Sequence, residues 1–221
     1  MDICRDVGFV HLHVHSSYSL REGALGIARL AKLAVADEQP ALAITDTNNL
    51  FGALEFSEKL AKEGVQPIVG VQLGVDFGDR PAPASGLELP VAGAGGLVLI
   101  ARNETGYEQL MRLVSRAWLD SETTGEPRAA IAALADDASG LIALTGGPAG
   151  PIDSLVREGQ VDLARARIER LKDIFGDRLY VELQRHSDET ERAAERYLLD
   201  IAYRGSLPLV ATNEPYFAAR S

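Results

Sequence analysis

Three of the four histidines lie at alternate positions near the N-terminus, at His11, His13 and His15. Alternate residues of a β-strand point to the same face, so this spacing predicts one wall of imidazoles, with Leu12 and Val14 on the other face. Imidazoles gathered on one wall are a common way to bind Zn²⁺, Mn²⁺ or Fe. The alternative is a set of hydrogen-bonded core histidines, but three at a period of two favour a metal site.

Short apolar runs alternate with helical patterns along the chain. The predicted strands are 9–14, 41–45, 67–75, 96–102, 140–145, 179–183 and 207–212. The predicted helices are 25–37, 50–63, 105–119, 150–158, 161–175 and 188–204. Strands separated by helices predict a parallel sheet with right-handed crossovers. Seven such units favour an α/β barrel that is closed or nearly closed, and an open doubly wound sheet is the alternative.

Composition limits the class of protein. The 221 residues include 22 Lys and Arg against 32 Asp and Glu, which gives a net charge of −10 that opposes contact with nucleic acid or anionic lipid. A single cysteine, Cys4, fits a reducing compartment. The N-terminus has no apolar signal core, and no apolar run is long enough to span a membrane. We therefore expect one cytoplasmic domain over residues 1–221, with 81–96 as a loop between strands.

The histidine-bearing stretch FVHLHVHSSYSLREGA, at 9–24, resembles the opening of the polymerase-and-histidinol-phosphatase (PHP) family of domains. Further matches follow in chain order: AITD at 43–46, NLFGALEF at 49–56, PIVG at 67–70, GLIALTG at 140–146, FGDRLY at 175–180, ELQRH at 182–186 and PLVATN at 208–213. Within the family, the chain resembles the N-terminal domain of the bacterial DNA polymerase III alpha subunit. The resemblance covers essentially the whole chain.

The resemblance implies a distorted, TIM-like barrel of seven β-α units, (β/α)7, which agrees with the strand count. It also implies a site at the mouth of the barrel that holds up to three divalent ions and hydrolyses phosphoesters in metal-loaded members. Such ions generate a hydroxide nucleophile and stabilise the attacking and leaving oxygens. The positions that match the family's ligand positions are His13, His15, Glu22, Asp46, His186 and Glu214.

Four other positions depart from the family pattern. Thr47 and Tyr216 stand where the family has histidine, Gln72 stands for a bridging glutamate, and Gly147 for a cysteine or histidine. Three divalent ions would bring about +6 against at most −3 from the remaining carboxylates, and excess charge in a confined site is costly. The sequence therefore predicts a degenerate site without bound metal. The alternative is a single Zn²⁺ or Mn²⁺ held by His13, His15 and Glu214.

The resemblance implies a role in DNA replication. The parent chain would be a nucleotidyltransferase that polymerises DNA with Mg²⁺ in a later domain, and this chain would be its N-terminal piece. The PHP domain would then be a structural and interaction module, inactive alone, that contacts the rest of the chain and the proofreading exonuclease (epsilon) subunit, with primer-template DNA bound by the parent enzyme only. The alternative function is a metal-dependent phosphoesterase, either a 3′–5′ exonuclease or a pyrophosphatase.

Overall fold

A computed structural model of the chain describes residues 8–79, 95–121, 126–186 and 189–218. The strands are β1 (Ala41–Ile44), β2 (Gln66–Asp76), β3 (Gly96–Ala101), β4 (Arg128–Ala130), β5 (Leu141–Leu144), β6 (Leu179–Leu183) and β7 (Leu209–Ala211). The helices are α1 (Ile27–Ala36), α2 (Ala53–Lys62), α3 (Glu104–Asp120), α4 (Ile131–Asp136), α5 (Asp153–Arg157), α6 (Val161–Phe175) and α7 (Glu189–Gly205). A short 3-10 turn over Gly176–Arg178 leads into β6.

The strands form one curled sheet in the order β1-β2-β3-β5-β6-β7, with β4 paired to β2. The pairs β1–β2, β2–β4, β5–β6 and β6–β7 are parallel. The prediction of a wholly parallel sheet is wrong at β3, which runs antiparallel to both β2 and β5. The sequence between β2 and β3 has no helical pattern, so it lacks the crossover that a parallel neighbour needs. Most of the predicted loop 81–96 lies outside the described residues.

The first predicted strand, 9–14, is an extended segment beside β1 and not a regular strand. The backbone oxygens of His11 and Val14 accept hydrogen bonds of 2.9 Å from Ala43 N and Thr45 N, respectively. The two acceptor residues are three positions apart in the segment, whereas the two donor residues are two positions apart. The segment therefore has one extra residue relative to its partner, as in a β-bulge. The extra residue breaks the alternation of faces that the sequence predicts.

Apolar side chains fill both sides of the curled sheet. On the concave side, Val98, Ile100 and Leu144 form a cluster, against which further side chains pack from Leu12, Ile68, Ile142, Tyr180 and Val210. On the convex side, two larger clusters pack the helices on the sheet. Leu12 belongs to the concave cluster and Val14 to a convex one, so the bulge separates two side chains that were predicted to share a face.

Most predicted helices are confirmed to within a few residues. The bounds of α6 match the predicted 161–175, and its apolar positions Ala164, Ile168, Leu171 and Phe175 are buried. Gly176 follows with φ of 58°, a conformation that glycine adopts without strain. The short elements β4 and α4 were not predicted. No helix among the described residues has the length and apolar character of a membrane span.

Candidate metal centre

The candidate site residues lie at the ends of parallel strands. Asp46 follows β1, Gly147 follows β5 and Glu214 follows β7. The three positions therefore lie at the same rim of the sheet, where α/β barrels carry their active sites. The bulged segment before β1 brings His13 and His15 to this rim.

His13 is fully buried between two carboxylates. Its Nδ1 lies 2.7 Å from Glu182 Oε1, and its Nε2 lies 3.4 Å from Glu214 Oε1. Burial lowers the pKa of His13, but the charge and hydrogen bond of Glu182 and the charge of Glu214 outweigh it, so the pKa is raised. The two carboxylates therefore favour the charged form of His13.

Glu182 is the centre of a buried hydrogen-bond network. Its Oε1 accepts hydrogen bonds from His13, from Thr212 Oγ1 and, at 3.2 Å, from Gln184 Nε2. Its Oε2 accepts a 3.0 Å hydrogen bond from Gly146 N. Burial raises the pKa of Glu182. The charge and hydrogen bond of His13, together with the hydrogen bonds from Thr212 and Gln184, outweigh burial and lower the pKa below its ordinary value. Only a carboxylate can accept from all four donors at once.

His15 is also fully buried and is fixed on three sides. Its Nδ1 lies 3.0 Å from Ser19 Oγ, and its Nε2 lies 3.3 Å from Glu214 Oε1. The Tyr216 ring stacks on the imidazole, with 4.7 Å between ring centroids and 6° between the planes. The Tyr216 hydroxyl donates to Glu214 Oε1 at 2.7 Å, so the residue that stands for a family histidine supports both a histidine and a carboxylate.

Glu214 connects the two histidines. Burial raises its pKa, but the hydrogen bond from His15, the charge of His13 and the hydrogen bond from Tyr216 lower it to about 2, against an ordinary value of 4.5. Its Oε2 accepts a hydrogen bond of 3.1 Å from Gln184 Nε2. The backbone at Glu214 has φ of 43°, so the packing of the rim overcomes an unfavourable local conformation.

The lowered pKa of Glu214 predicts a specific acid sensitivity. Its stabilising effect is fully present above pH 4.5 and is lost as the pH falls through about 2. The size is about 3 kcal/mol at most, from 1.36 kcal/mol per pKa unit. Urea unfolding of the metal-free protein from pH 5 toward pH 2 should therefore show a steeper loss of stability for the wild type than for Glu214→Gln. Parallel curves for the two proteins would contradict this assignment.

The other predicted ligand positions are differently engaged. Asp46 is buried and accepts hydrogen bonds from Ser16 N, Ser16 Oγ and Ser19 Oγ at 2.6–2.7 Å. Glu22 is half exposed, and its Oε2 lies 4.0 Å from His15 Nδ1. His186 lies at the edge, where Nδ1 contacts Glu191 Oε1 and Nε2 contacts the Asn213 carbonyl, both at 2.8 Å.

His11 lies outside the site. Its ring meets Phe9 edge-on, with 4.9 Å between centroids, and burial lowers its pKa against the opposing charge of Asp37. The predicted wall of three imidazoles is therefore wrong for His11. The extra residue in the segment rotates His11 away from His13 and His15.

Neutral groups occupy the positions where the chain departs from the family pattern. Thr47 Oγ1 donates to Glu22 Oε2 at 2.5 Å and lies 3.3 Å from Gln72 Oε1. Gly147 has φ of 63°, and a Cβ there would overlap with Nε2 of Gln184. Gln184 therefore fills the space that a cysteine or histidine at position 147 would need.

His13, His15 and Glu214 form a group that fits one metal ion. One ligand atom from each lies within 4.8 Å of the others, the one such group among the described residues. The Nε2–Oε1 separations of 3.4 and 3.3 Å match the roughly 3.3 Å between tetrahedral ligands at about 2.0–2.1 Å from Zn²⁺. His13 Nε2 is buried and has no hydrogen-bond partner among the described residues. The donors thus fit one ion and not three.

Sequence reasoning missed Glu182, Gln184, Ser16 and Ser19. Glu182 carried a usable signal, because it is a charged residue inside the predicted strand 179–183, and charged residues are rarely fully buried without a partner. Its partner could not be identified, because Glu182 lies 169 residues from His13 along the chain.

Comparisons with known proteins identify the family of the chain. The model of the PHP domain family matches residues 11–186. DNA polymerase III subunit alpha of Caulobacter vibrioides is 45% identical over 212 residues, which cover 96% of this chain and 18% of that protein. The Thermus aquaticus protein of the same name is 37% identical over 96% of this chain. An error-prone DNA polymerase of Symbiobacterium thermophilum is 35% identical over 97% of it. This chain spans less than a fifth of the length of the first two relatives, 18% and 17%.

Solved structures of similar fold are more distant in sequence. A Bifidobacterium adolescentis protein assigned as a metal-dependent phosphoesterase superposes with a TM-score of 0.57 at 14% identity, covering 96% of this chain and 88% of its own. An amidohydrolase of Chromobacterium violaceum, solved with sulfate and no metal, also gives a TM-score of 0.57 at 14% identity. At this identity, the two structures support the fold alone.

Proposed function

The chain belongs to the PHP domain family, and on that premise we propose that it is the PHP domain of a DNA polymerase III alpha subunit. In this role it is a structural and interaction module. Support comes from identities of 33–45% to polymerase III alpha subunits over 95–96% of this chain. DNA synthesis, with Mg²⁺ as the cofactor, would then belong to the part of the parent protein outside these 221 residues.

The hydrogen bonding of Asp46 is the observation that favours a structural module over a multi-metal hydrolase. Three hydrogen bonds from Ser16 and Ser19 occupy its two oxygens. Thr47 and Gln72 nearby are neutral, and neither balances the charge of a second or third cation. The site therefore stabilises the rim through hydrogen bonds that a metal cluster would have to replace.

The proposed partners are the remaining domains of the same chain and the proofreading exonuclease (epsilon) subunit. Primer-template DNA would be a partner of the parent enzyme only. The net charge of −10 is better suited to a protein surface than to a phosphate backbone. A cytoplasmic location is part of the same proposal, supported by a composition with a single cysteine.

We also propose that residues 1–221 form one domain and that the extended segment 9–14 closes the curled sheet as a distorted seven-unit barrel. Two backbone hydrogen bonds already join the segment to β1. On its other side, Leu12 packs in the same concave cluster as Val210 of β7. The segment would thus fill the space between the two edge strands.

A second candidate function is a phosphoesterase that retains one metal ion. The unpartnered Nε2 of His13 favours it, together with the Glu182 carboxylate on Nδ1, because metal-ligating histidines usually donate their other N–H to a carboxylate or carbonyl. His13, His15 and Glu214 would hold the ion, and a bound Zn²⁺ would lower the pKa of a coordinated water. Glu182 would hold the His13 imidazole in place, and the full burial of Glu182 keeps water away from this contact.

One experiment separates the two functions. The purified chain is dialysed against Zn²⁺ or Mn²⁺, its metal content is measured, and hydrolysis of a phosphodiester is followed in parallel. We expect at most one ion per chain and no turnover. The double variant His13→Ala, His15→Ala should lose any bound ion, whereas the exposed control Lys32→Ala should not. Turnover that the double variant abolishes would favour the phosphoesterase, and two or three ions per chain would contradict the module.

A further inference from the structure

We propose that a pocket between α5 and α7 binds a primary ammonium group, of the kind that ends a lysine side chain. The pocket lies beside the candidate metal centre, since Gln184 lines the pocket and also contacts Glu214. It goes beyond the functions proposed above, because it contains none of the three residues of the metal-ligand group and needs no bound metal.

A buried carboxyl group without a partner faces this pocket. Asp153, the first residue of α5, is only 4% exposed, and its Oδ1 has no hydrogen-bond partner among the described residues. Buried polar groups are normally matched by hydrogen bonds, so this atom is an exception that needs a cause. Because Asp153 lines the pocket, a donor that enters the pocket can supply the missing bond.

The charges around Asp153 favour a cation over an anion. Burial raises the pKa of Asp153 well above its ordinary value, and the charges of Glu182 and Glu191 add to this. The charge of Arg157 opposes them, but Arg157 Nη2 already donates to the Pro148 carbonyl at 2.6 Å. A cation in the pocket would favour the ionised form of Asp153, whereas an anion would meet further repulsion.

Two other carboxylates line the pocket, and both are already paired. Glu191 Oε1 lies 2.8 Å from His186 Nδ1, and Glu195 Oε1 lies 2.6 Å from Arg185 Nη2. These pairs largely balance their own charge. Asp153 is therefore the carboxyl group of the lining that is left for a ligand.

The size of the pocket favours an ammonium group over other cations. It offers about 10 Å³ to the centre of a water molecule, which is room for about one water. The ammonium of lysine is a compact point charge, whereas the guanidinium of arginine is a wider planar fork. A divalent metal ion fits less well, because His13, His15 and Glu214 are the one group of described ligands close enough to share an ion.

The remaining walls are apolar and suit an alkyl chain. They come from Leu183 at the end of β6, from Ala194 and Leu198 of α7, and from Pro148 after β5. A lysine side chain buries its methylene groups along apolar surface while its charged end reaches a polar partner. An alkylammonium therefore matches both the walls and Asp153.

Gln184 supplies a second acceptor. Its Nε2 donates to Glu182 Oε1 at 3.2 Å and to Glu214 Oε2 at 3.1 Å, which uses both N–H bonds of the amide. What Gln184 can offer a ligand is therefore its carbonyl oxygen. An ammonium group has three donors, and the lining offers acceptors on Asp153, Gln184 and Glu191.

The test is an NMR titration of the metal-free chain with n-butylammonium chloride, which has the four-carbon stem and the ammonium of a lysine side chain. Signals of Leu183, Ala194 and Leu198 should shift and saturate, whereas n-butanol or sodium chloride should not shift them. Asp153→Asn retains the shape and removes the charge, and should weaken binding at least about 10-fold, as expected for a hydrogen bond to a charged group. Asp173→Asn, at an exposed position of α6, should leave binding unchanged.

No binding of n-butylammonium would overturn the proposal, as would equal affinity of the wild type and Asp153→Asn, or shifts confined to residues outside the pocket. The wild-type titration decides the matter even where Asp153→Asn does not fold.

A lysine with both its amino and carboxyl ends capped distinguishes the source of the ammonium. Capped lysine that binds as tightly as n-butylammonium would assign the pocket to a lysine of a partner protein, and binding of n-butylammonium alone would assign it to a free amine. Both results support an ammonium site. Neither depends on the metal content or on phosphodiester hydrolysis, which test the proposed functions separately.

Discussion

Glu182→Gln is expected to lower the free energy of unfolding by about 3–5 kcal/mol, the usual cost of removing one partner of a buried ion pair. Glu182 and His13 are both fully buried, and four donors converge on the two carboxylate oxygens. An amide would place an N–H group against one of those donors. It would also leave His13 Nδ1 without its nearest carboxylate.

Urea and thermal unfolding of the metal-free protein measure this loss. The midpoint of thermal unfolding should fall by about 10 °C, since each kcal/mol is worth roughly 2–4 °C in a chain of this size. Glu169→Gln, the same exchange at an exposed position of α6, should stay within about 0.5 kcal/mol of the wild type. A loss below about 1 kcal/mol for Glu182→Gln would show that the network does not hold the rim together.

A milder variant keeps this prediction testable where Glu182→Gln does not fold. Thr212→Val removes one donor to Glu182 and retains the shape of the side chain. The expected loss is about 1.5–3 kcal/mol, typical of a hydrogen bond to a charged group. An unchanged stability would again contradict the role given to Glu182.

The second large effect is a gain of metal ions. The sequence alone predicts that Thr47→His, Gln72→Glu, Gly147→Cys and Tyr216→His together raise metal affinity. We expect these four substitutions to add no second ion, because Gln184 occupies the space needed by a side chain at position 147. Adding Gln184→Ala should remove the obstacle, free Glu214 Oε2 and raise the content from at most one ion per chain to two or more.

Metal content after dialysis against Mn²⁺ or Zn²⁺ is the measurement. Gln184→Ala alone is the matched control and should add no ion, because it supplies no new ligand. A second ion in the fourfold variant would show that Gln184 moves aside freely. A fivefold variant with no more metal than the wild type would mean that the four positions do not correspond to the family's ligand positions.

Much of the fold could be predicted because its signals are local. The helix at 161–175 was predicted from apolar positions at steps of three and four, and α6 has these bounds. Six of the seven predicted strands match strands of the sheet. The family was also identified from contiguous motifs, and the PHP domain model matches residues 11–186.

The direction of β3 and the bulge near His13 could not be predicted in the same way. Both depend on which strands become neighbours, and hydrogen bonds between distant segments decide that. A strict alternation of faces from residue 9 to 15 was the only pattern available in the sequence. One extra residue in the pairing with β1 was enough to turn His11 out of the site.

The sequence by itself determined the residue types at the rim, the charge balance and the missing donors at positions 47, 72, 147 and 216. Only the tertiary structure decided which hydrogen-bond partners the remaining groups have. It placed Glu182 on His13 from 169 residues away and turned Asp46 toward two serines. The reason is physical: a buried carboxylate must be matched by donors in three dimensions, and those donors come from segments whose proximity no local pattern encodes.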